Sequence, residues 1–320
     1  MLDIRISGSL EMATSVPWVI EPDFSSMAFP EWLSGKVAVL SVLLREHGAV
    51  LFRGFRPIMP PEFDVALKRY SGPSFDYEFR SNDRSRIAGN VFSSTEFPAS
   101  EVIPFHNEMS YYSTWPDRLW LYCMQPSETG GSTPLADSRK VLASIPREIR
   151  DRFIGGGVTY LRNMREDLDV PWQEVFQTED RERVRAYCEQ NDIRFEWVSA
   201  DHLRTWQWRP ATHRHPVTGE EVWFNQAHLF HYTARGSEVG DWLLRHYGSE
   251  GLPRNAYIGD SEPISMRELD EIREAYERNR IEFEWQAGDI LVIDNVLMAH
   301  ARQEFTGQRQ IVVGLTGVGE

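Results

Sequence analysis

The chain has 320 residues, 41% of them hydrophobic and 12% aromatic, which is enough apolar surface for a sizeable core and excludes a disordered chain. Its formal net charge of −14, with a pI near 5.2, repels phosphate backbones and excludes sequence-independent nucleic-acid binding. Cys123 and Cys188 form no C-x-x-C unit, and the chain has no apolar run of about 18 residues, so a reducing, cytoplasmic setting with no membrane contact is expected.

Residues 1–35, rich in Ser, Pro and Met, read as irregular. Val37, Leu40, Val42, Leu43 and Leu44 recur at helical spacing and predict a helix over 37–46. Gly48 then opens Ala49–Phe55, a β-branched and aromatic run with the signature of a buried strand. Pro60 and Pro61 start a helix that runs to Tyr70. Residues 71–101 are loop-rich and lead into a strand carrying His106 and Glu108. Strands are expected at Leu119–Cys123 and at Ser132–Ala136, with the Gly130-Gly131 turn between them. Charged surface helices follow at 139–153 and 179–190, with strands at 157–161, 194–198 and 203–208 around them.

His215-Pro216-Val217-Thr218-Gly219 is a turn signal that joins 209–212 to 221–225 as a hairpin. Ser265, with Glu268 three residues later, forms a capping box for a helix ending at Arg278. The remainder is β again: Ile281–Trp285, Ile290–Asp294, a segment ending at His300, and 310–315. There is no internal repeat, low-complexity tract or linker. The pattern predicts one domain over 1–320, mainly β with inserted helices on a double-stranded β-helix (jelly-roll) core. A helical insertion is expected at about 139–192 and a helix at about 264–278.

The chemistry centres on 104–138. In an extended strand alternate side chains leave the same face, so His106 and Glu108 converge on one point. His300, just past an apolar strand, supplies a second imidazole. Two histidines and a carboxylate on one face, with the opposite positions open, suit a non-haem Fe(II) site. Arg309 enters the apolar strand beginning at Gln310, where an unpaired guanidinium is costly. A ligand carboxylate would satisfy its planar fork, and Thr133 adds a hydroxyl donor.

These motifs resemble the TauD/TfdA-type Fe(II)- and 2-oxoglutarate-dependent dioxygenases over nearly the whole chain. The specific stretches are Phe105–Tyr111, Gly130–Arg139, Val222–Gln226 and Asp294-Asn295 through His300-Ala301-Arg302. The resemblance implies that His106, Glu108 and His300 bind Fe(II). It also implies that Thr133 and Arg309 hold the distal carboxylate of 2-oxoglutarate, with O2 as the second cosubstrate. The subgroup it most resembles is the SyrP-like amino-acid hydroxylases of nonribosomal peptide pathways. Glu108 stands where much of the family has Asp, and Ala301 where Gly is common. Related halogenases carry a small residue at the carboxylate position, so Glu108 favours oxygen transfer over halogenation.

Other positions are weighed against structural roles. Asn225, His228, Arg302 and Arg80 are the candidate substrate contacts, with Arg84 and Arg86 beside the last. His213 and His215 read as a solvated hairpin tip, and His47, His202 and His246 as surface residues. The expected substrate is a small amino-acid-like molecule, free or carried on a carrier protein. Desaturation or cyclisation from the same chemistry, and a non-catalytic carboxylate-binding barrel, are the alternatives.

Overall fold

The computed structural model describes residues 17–70, 86–94 and 97–319. Arg80 and Arg84 lie outside the described residues. Two sheets dominate the site. The first has seven strands in the order Trp18–Ile20, Ala49–Phe52, Ile290–Asp294, Arg118–Gln125, Gln310–Thr316, Val91–Ser93 and Arg86–Ala88. Its first pair is parallel and every other pair antiparallel. The second has four strands, ordered Arg280–Ile281, Leu135–Asp137, Met298–Arg302 and Ile103–His106.

The apolar runs of the central strands are buried on both faces, and alternation sorts their side chains between two clusters. Val50, Phe52, Trp120, Tyr122, Ile290 and Val292 pack against the helix Phe29–His47 through Phe29, Trp32, Leu33, Leu40 and Leu44. Leu51, Leu119, Leu121, Leu291, Ile293, Ile311 and Val313 point the other way, into the core shared with the second sheet. The strand Ile103–His106 is braced by the helix Met266–Arg278. That helix has the expected Ser265–Glu268 capping box, and its buried Tyr276 stacks on Phe105 with ring centroids 5.5 Å apart.

A third sheet of five strands runs Ile193–Trp197, Leu203–Arg209, Val158–Met164, Arg254–Ile258 and Glu262–Pro263. The stretch at about 139–192 is therefore not purely helical. It holds the helices Ser138–Ser144, Arg147–Gly156, Trp172–Val175 and Arg181–Gln190, and also the central strand of this sheet.

Other expectations also shift. The first helix begins at Phe29, because Pro30 is tolerated in a first turn and Glu31 accepts from the Ala28 N–H; Lys36 then kinks it. The strand expected at Ser132–Ala136 is Leu135–Asp137, and the one expected at Ile281–Trp285 shortens to Arg280–Ile281. There Phe283 and Trp285 are buried without a ladder, ahead of a turn pinned by Asp289, which accepts from the Gln286 N–H and pairs with Arg53. The helix Ser237–Gly251 goes unread in the sequence because four glycines lie within or beside it, at 236, 240, 248 and 251. Among the described residues no helix is long and apolar enough to cross a membrane.

Candidate metal centre

His106 ends its strand, and His300 lies directly opposite it in the antiparallel pair with Met298–Arg302. Directly opposed residues project on the same face, and the two imidazole centroids are 4.3 Å apart. His106 Nδ1 lies 2.9 Å from the Pro104 carbonyl. A carbonyl only accepts, so Nδ1 carries the proton and Nε2 presents a lone pair to the site. Glu108 Oε2 lies 3.9 Å from His106 Nε2 and 4.0 Å from His300 Nε2. All three donor atoms fall within 4.8 Å of one another, close enough to share one ion.

Strand alternation does not bring Glu108 there. The strand stops at His106, and Glu108 sits in a turn whose next residue, Met109, has φ 57°. Asn295 sets this turn. Its Oδ1 accepts from the Glu108 N–H at 2.7 Å, and its Nδ2 donates to the Glu108 and Pro116 carbonyls at 2.9 Å each. Asn107 Nδ2 donates back to the Asn295 carbonyl at 2.6 Å. Next to Asn295, Asp294 Oδ1 accepts from the Val296 and Leu297 N–H groups. Asp294 Oδ2 receives the N–H of His215 Nε2 at 3.2 Å. His215 is thus buried behind the site and is not a solvated tip, a burial its turn-like sequence context conceals.

Arg309 comes to the same place from the other sheet. Its Nε donates to the Gly131 carbonyl at 2.9 Å and its Nη2 to Thr133 Oγ1 at 3.3 Å. Gly131 is at φ +69°, and a Cβ there would clash with Ser127 Oγ and crowd Arg309 Cδ at 3.1 Å, so the turn beside the arginine favours glycine. Burial, with Arg302 adding repulsion, holds the guanidinium down to about 10. Among the described residues no carboxylate pairs with it. Thr133 Oγ1 also accepts from Trp285 Nε1 at 3.0 Å. With both lone pairs engaged, the hydroxyl has only its O–H left to offer, so it is a donor to whatever Arg309 holds. Thr133, Arg309, His106, Glu108 and His300 line one small cavity walled by Leu119, Leu121, Ile311 and Val313. A 2-oxo acid fits this set, since one end meets the ligand cluster and the other meets a guanidinium and a hydroxyl donor.

The substrate candidates separate. Arg302 borders the small cavity, but its guanidinium donates to the carbonyls of Phe97, Pro98 and Glu101, where it organises the 97–101 loop. Asn225 is fully buried and serves backbone, donating to the Ala211 carbonyl and accepting from the Ala227 N–H. His228 donates from Nε2 to the Phe105 carbonyl at 2.9 Å, and burial holds it down to about 3, so it is a neutral brace for the metal strand. His202 is likewise buried, paired with Asn163 Oδ1 at 2.8 Å.

A larger cleft of about 800 Å³ also borders His106 and Glu108. Its wall includes Tyr111, Asp169, Gln226, His231, Arg235 and Arg254. The sequence pattern names Asn295 within the Asp294-Asn295 motif but gives it no role, and it singles out none of Trp285, Asp169 and Arg254. Asn295 had a visible signal, an Asp-Asn pair ending an apolar strand. The other three had none, because their partners are remote in the chain.

Two imidazoles and a carboxylate, beside a partly buried guanidinium that no carboxylate of the described residues pairs with, suit a non-haem iron enzyme that uses a 2-oxo acid. The profile of the family described as "Taurine catabolism dioxygenase TauD, TfdA family" matches residues 14–316, and the chain belongs to that family of Fe(II)- and 2-oxoglutarate-dependent dioxygenases. It is 41% identical over 273 residues to the dapdiamide synthesis protein DdaC of Enterobacter agglomerans, covering 85% of this chain and 83% of that one. It is 27% identical over 318 residues to a clavaminate synthase-like protein of Arabidopsis thaliana, covering 93% of each. Among solved structures it resembles PvcB of Pseudomonas aeruginosa, with a TM-score of 0.56 at 14% identity over 94% of this chain and 85% of that one.

Proposed function

We propose that this dioxygenase hydroxylates an unactivated C–H bond of an amino acid or amino-acid-derived substrate, free or carrier-tethered, in specialised metabolism. The observation that carries the reading is that His106 and Glu108 border both the small Arg309 cavity and the large cleft. In this reading cosubstrate and substrate occupy separate cavities that share one metal position. The similarity to DdaC, a dapdiamide synthesis protein, supports a biosynthetic role on an amino-acid-like molecule. The seven- and four-stranded sheets, which share one core, are read as the faces of a double-stranded β-helix within a single domain.

In this reading His106, Glu108 and His300 hold Fe(II), and Arg309 and Thr133 hold the distal carboxylate of 2-oxoglutarate. With O2, the bound iron and 2-oxoglutarate supply an oxidant for the C–H bond, the 2-oxo acid leaving as succinate and CO2. Arg309 and the Thr133 O–H orient the 2-oxo acid, while Leu119, Leu121, Ile311 and Val313 exclude water. His106 keeps its Nε2 lone pair available because Pro104 holds the proton on Nδ1. Glu108 occupies the position that must be small for a halide, which favours oxygen transfer.

Anaerobic addition of Fe(II) and 2-oxoglutarate tests the site. The expected result is a visible metal-to-ligand charge-transfer band, lost with His300→Ala; absence of the band in metal-loaded wild type overturns the reading. A panel of free and carrier-loaded amino acids, followed by product mass, then separates hydroxylation from desaturation.

A further inference from the structure

The strands Val158–Met164 and Arg254–Ile258 are antiparallel, with Arg162 directly opposite Arg254. Like charges facing each other across a strand pair repel. Asp169 sits between them: Arg254 Nε and Nη2 donate to it at 2.8 and 2.7 Å, and Arg162 Nη2 at 3.2 Å. Burial would raise the Asp169 carboxyl, but the two arginines more than reverse that and keep it ionised. Two guanidiniums share one carboxylate, so the group carries one positive charge in excess. Arg162 is 5% exposed, and its Nε has no hydrogen-bond partner among the described residues. A buried cation left this far short of compensation is costly unless something else completes it.

The excess faces the cleft. Arg254 and Asp169 line the same cavity as His106 and Glu108, and the Arg254 side chain is 29% exposed there. Its Nε and Nη2 are committed to Asp169, which leaves Nη1 as the edge for a ligand. Phe230 packs against this guanidinium, whose Cζ lies 5.8 Å from the ring centroid. Among the described residues the cleft's other charged groups outside the candidate metal cluster, Glu101 and Arg235, carry opposite charges, and burial keeps His231 neutral.

We propose that Arg254, oriented by Asp169 and backed by Arg162, is an anchoring subsite for an oxyanion of the substrate. The oxyanion is either the substrate's own carboxylate or the phosphate of a tethering arm. This deepens the proposed function and rests on it for the meaning of the cleft.

The test uses full-length protein loaded with Mn(II) and saturating 2-oxoglutarate, so that Arg309 is already occupied. Acetate and, separately, methyl phosphate are titrated at constant ionic strength while the melting temperature is followed. A saturable rise is expected for at least one anion, weakened about tenfold or more in Arg254→Gln, as fits loss of one charge-assisted hydrogen bond. Arg254→Lys should retain it. Stronger acetate binding assigns the anion to the substrate's carboxylate, and stronger methyl phosphate binding to a tether. No rise in wild type, or an equal rise in Arg254→Gln, overturns the subsite. If Arg254→Gln does not fold, Arg235→Gln decides: with the cleft's other arginine removed the rise is expected unchanged, and its loss overturns the subsite. The charge-transfer band with Fe(II) is read in parallel. Its absence from wild type that still binds anions overturns the oxygenase reading and leaves the subsite standing.

Discussion

Asn295 holds the backbone of Glu108 from both sides, accepting from its N–H at 2.7 Å and donating to its carbonyl at 2.9 Å. The carboxylate therefore reaches the proposed metal position through a turn held by a distant amide, not through the pleat of a strand. Glu108 and Asn295 lie on segments that come together only in the folded molecule, so the ligand's aim depends on tertiary structure.

Asn295→Ala removes this hold while leaving all three ligands in place. Groups that orient metal ligands typically contribute about 10–100-fold in affinity, and the variant is expected to lose divalent-metal affinity in that range. Calorimetric titration with Mn(II) measures it. Melting will also shift, since buried donors and acceptors left unpaired cost about 1–3 kcal/mol each. Wild-type metal affinity in a folded Asn295→Ala protein would refute the role.

Thr133→Val keeps shape and removes the hydroxyl that receives Trp285 Nε1 and Arg309 Nη2. The 2-oxoglutarate dissociation constant, read from the charge-transfer band, is expected to rise about tenfold. Trp285→Phe leaves the hydroxyl but frees one lone pair, so its O–H is no longer forced outward. A smaller, severalfold weakening is expected, with the Fe(II) affinity unchanged.

Arg309 gives a pH signature. Its guanidinium is held down to about 10 in the empty protein, and the charged form is the one that binds a carboxylate. Below that pH 2-oxoglutarate affinity should be flat with respect to this group. Above it, each pH unit should weaken binding up to about tenfold, until the higher pKa of the complex is reached. Arg309→Lys should bind poorly at every pH, because an ammonium cannot reproduce the fork that reaches Gly131 and Thr133.

His228 and His231 predict acid sensitivity. Burial holds them down to about 3 and about 4, against an ordinary value of 6.5. Between those values and 6.5 the unfolded chain binds more protons than the folded one, so stability falls as pH falls through that window. His228→Gln, which keeps a donor for the Phe105 carbonyl, should flatten the melting-temperature profile between about pH 6 and 4. An unchanged slope would argue against a neutral, buried His228.

The readable part of the molecule was the part whose chemistry is stated by residue type. His106, Glu108, His300, Thr133 and Arg309 needed no partner to look unusual, and the structure gathers all five around one cavity. The strands Ile290–Asp294 and Gln310–Thr316 were equally plain, because burial on both faces leaves an unbroken apolar run. What stayed hidden depends on contacts between remote segments. His215 and His202 looked solvated because Asp294 and Asn163 lie far away in the chain. The Arg162–Asp169–Arg254 group appears only once two strands are set in register. Asn225 was misleading for the same reason, since its amide is consumed by the Ala211 carbonyl and the Ala227 N–H.

The cross-strand register of His106 and His300 also governs when the site can come into being. During synthesis the strand Ile103–His106 emerges long before its partner, so a nascent chain displays one imidazole and one carboxylate with nothing to close them. The strand that Arg309 leads into is inserted between Arg118–Gln125 and Val91–Ser93 later still. The three donor atoms therefore come together only once strands from both ends of the chain have paired.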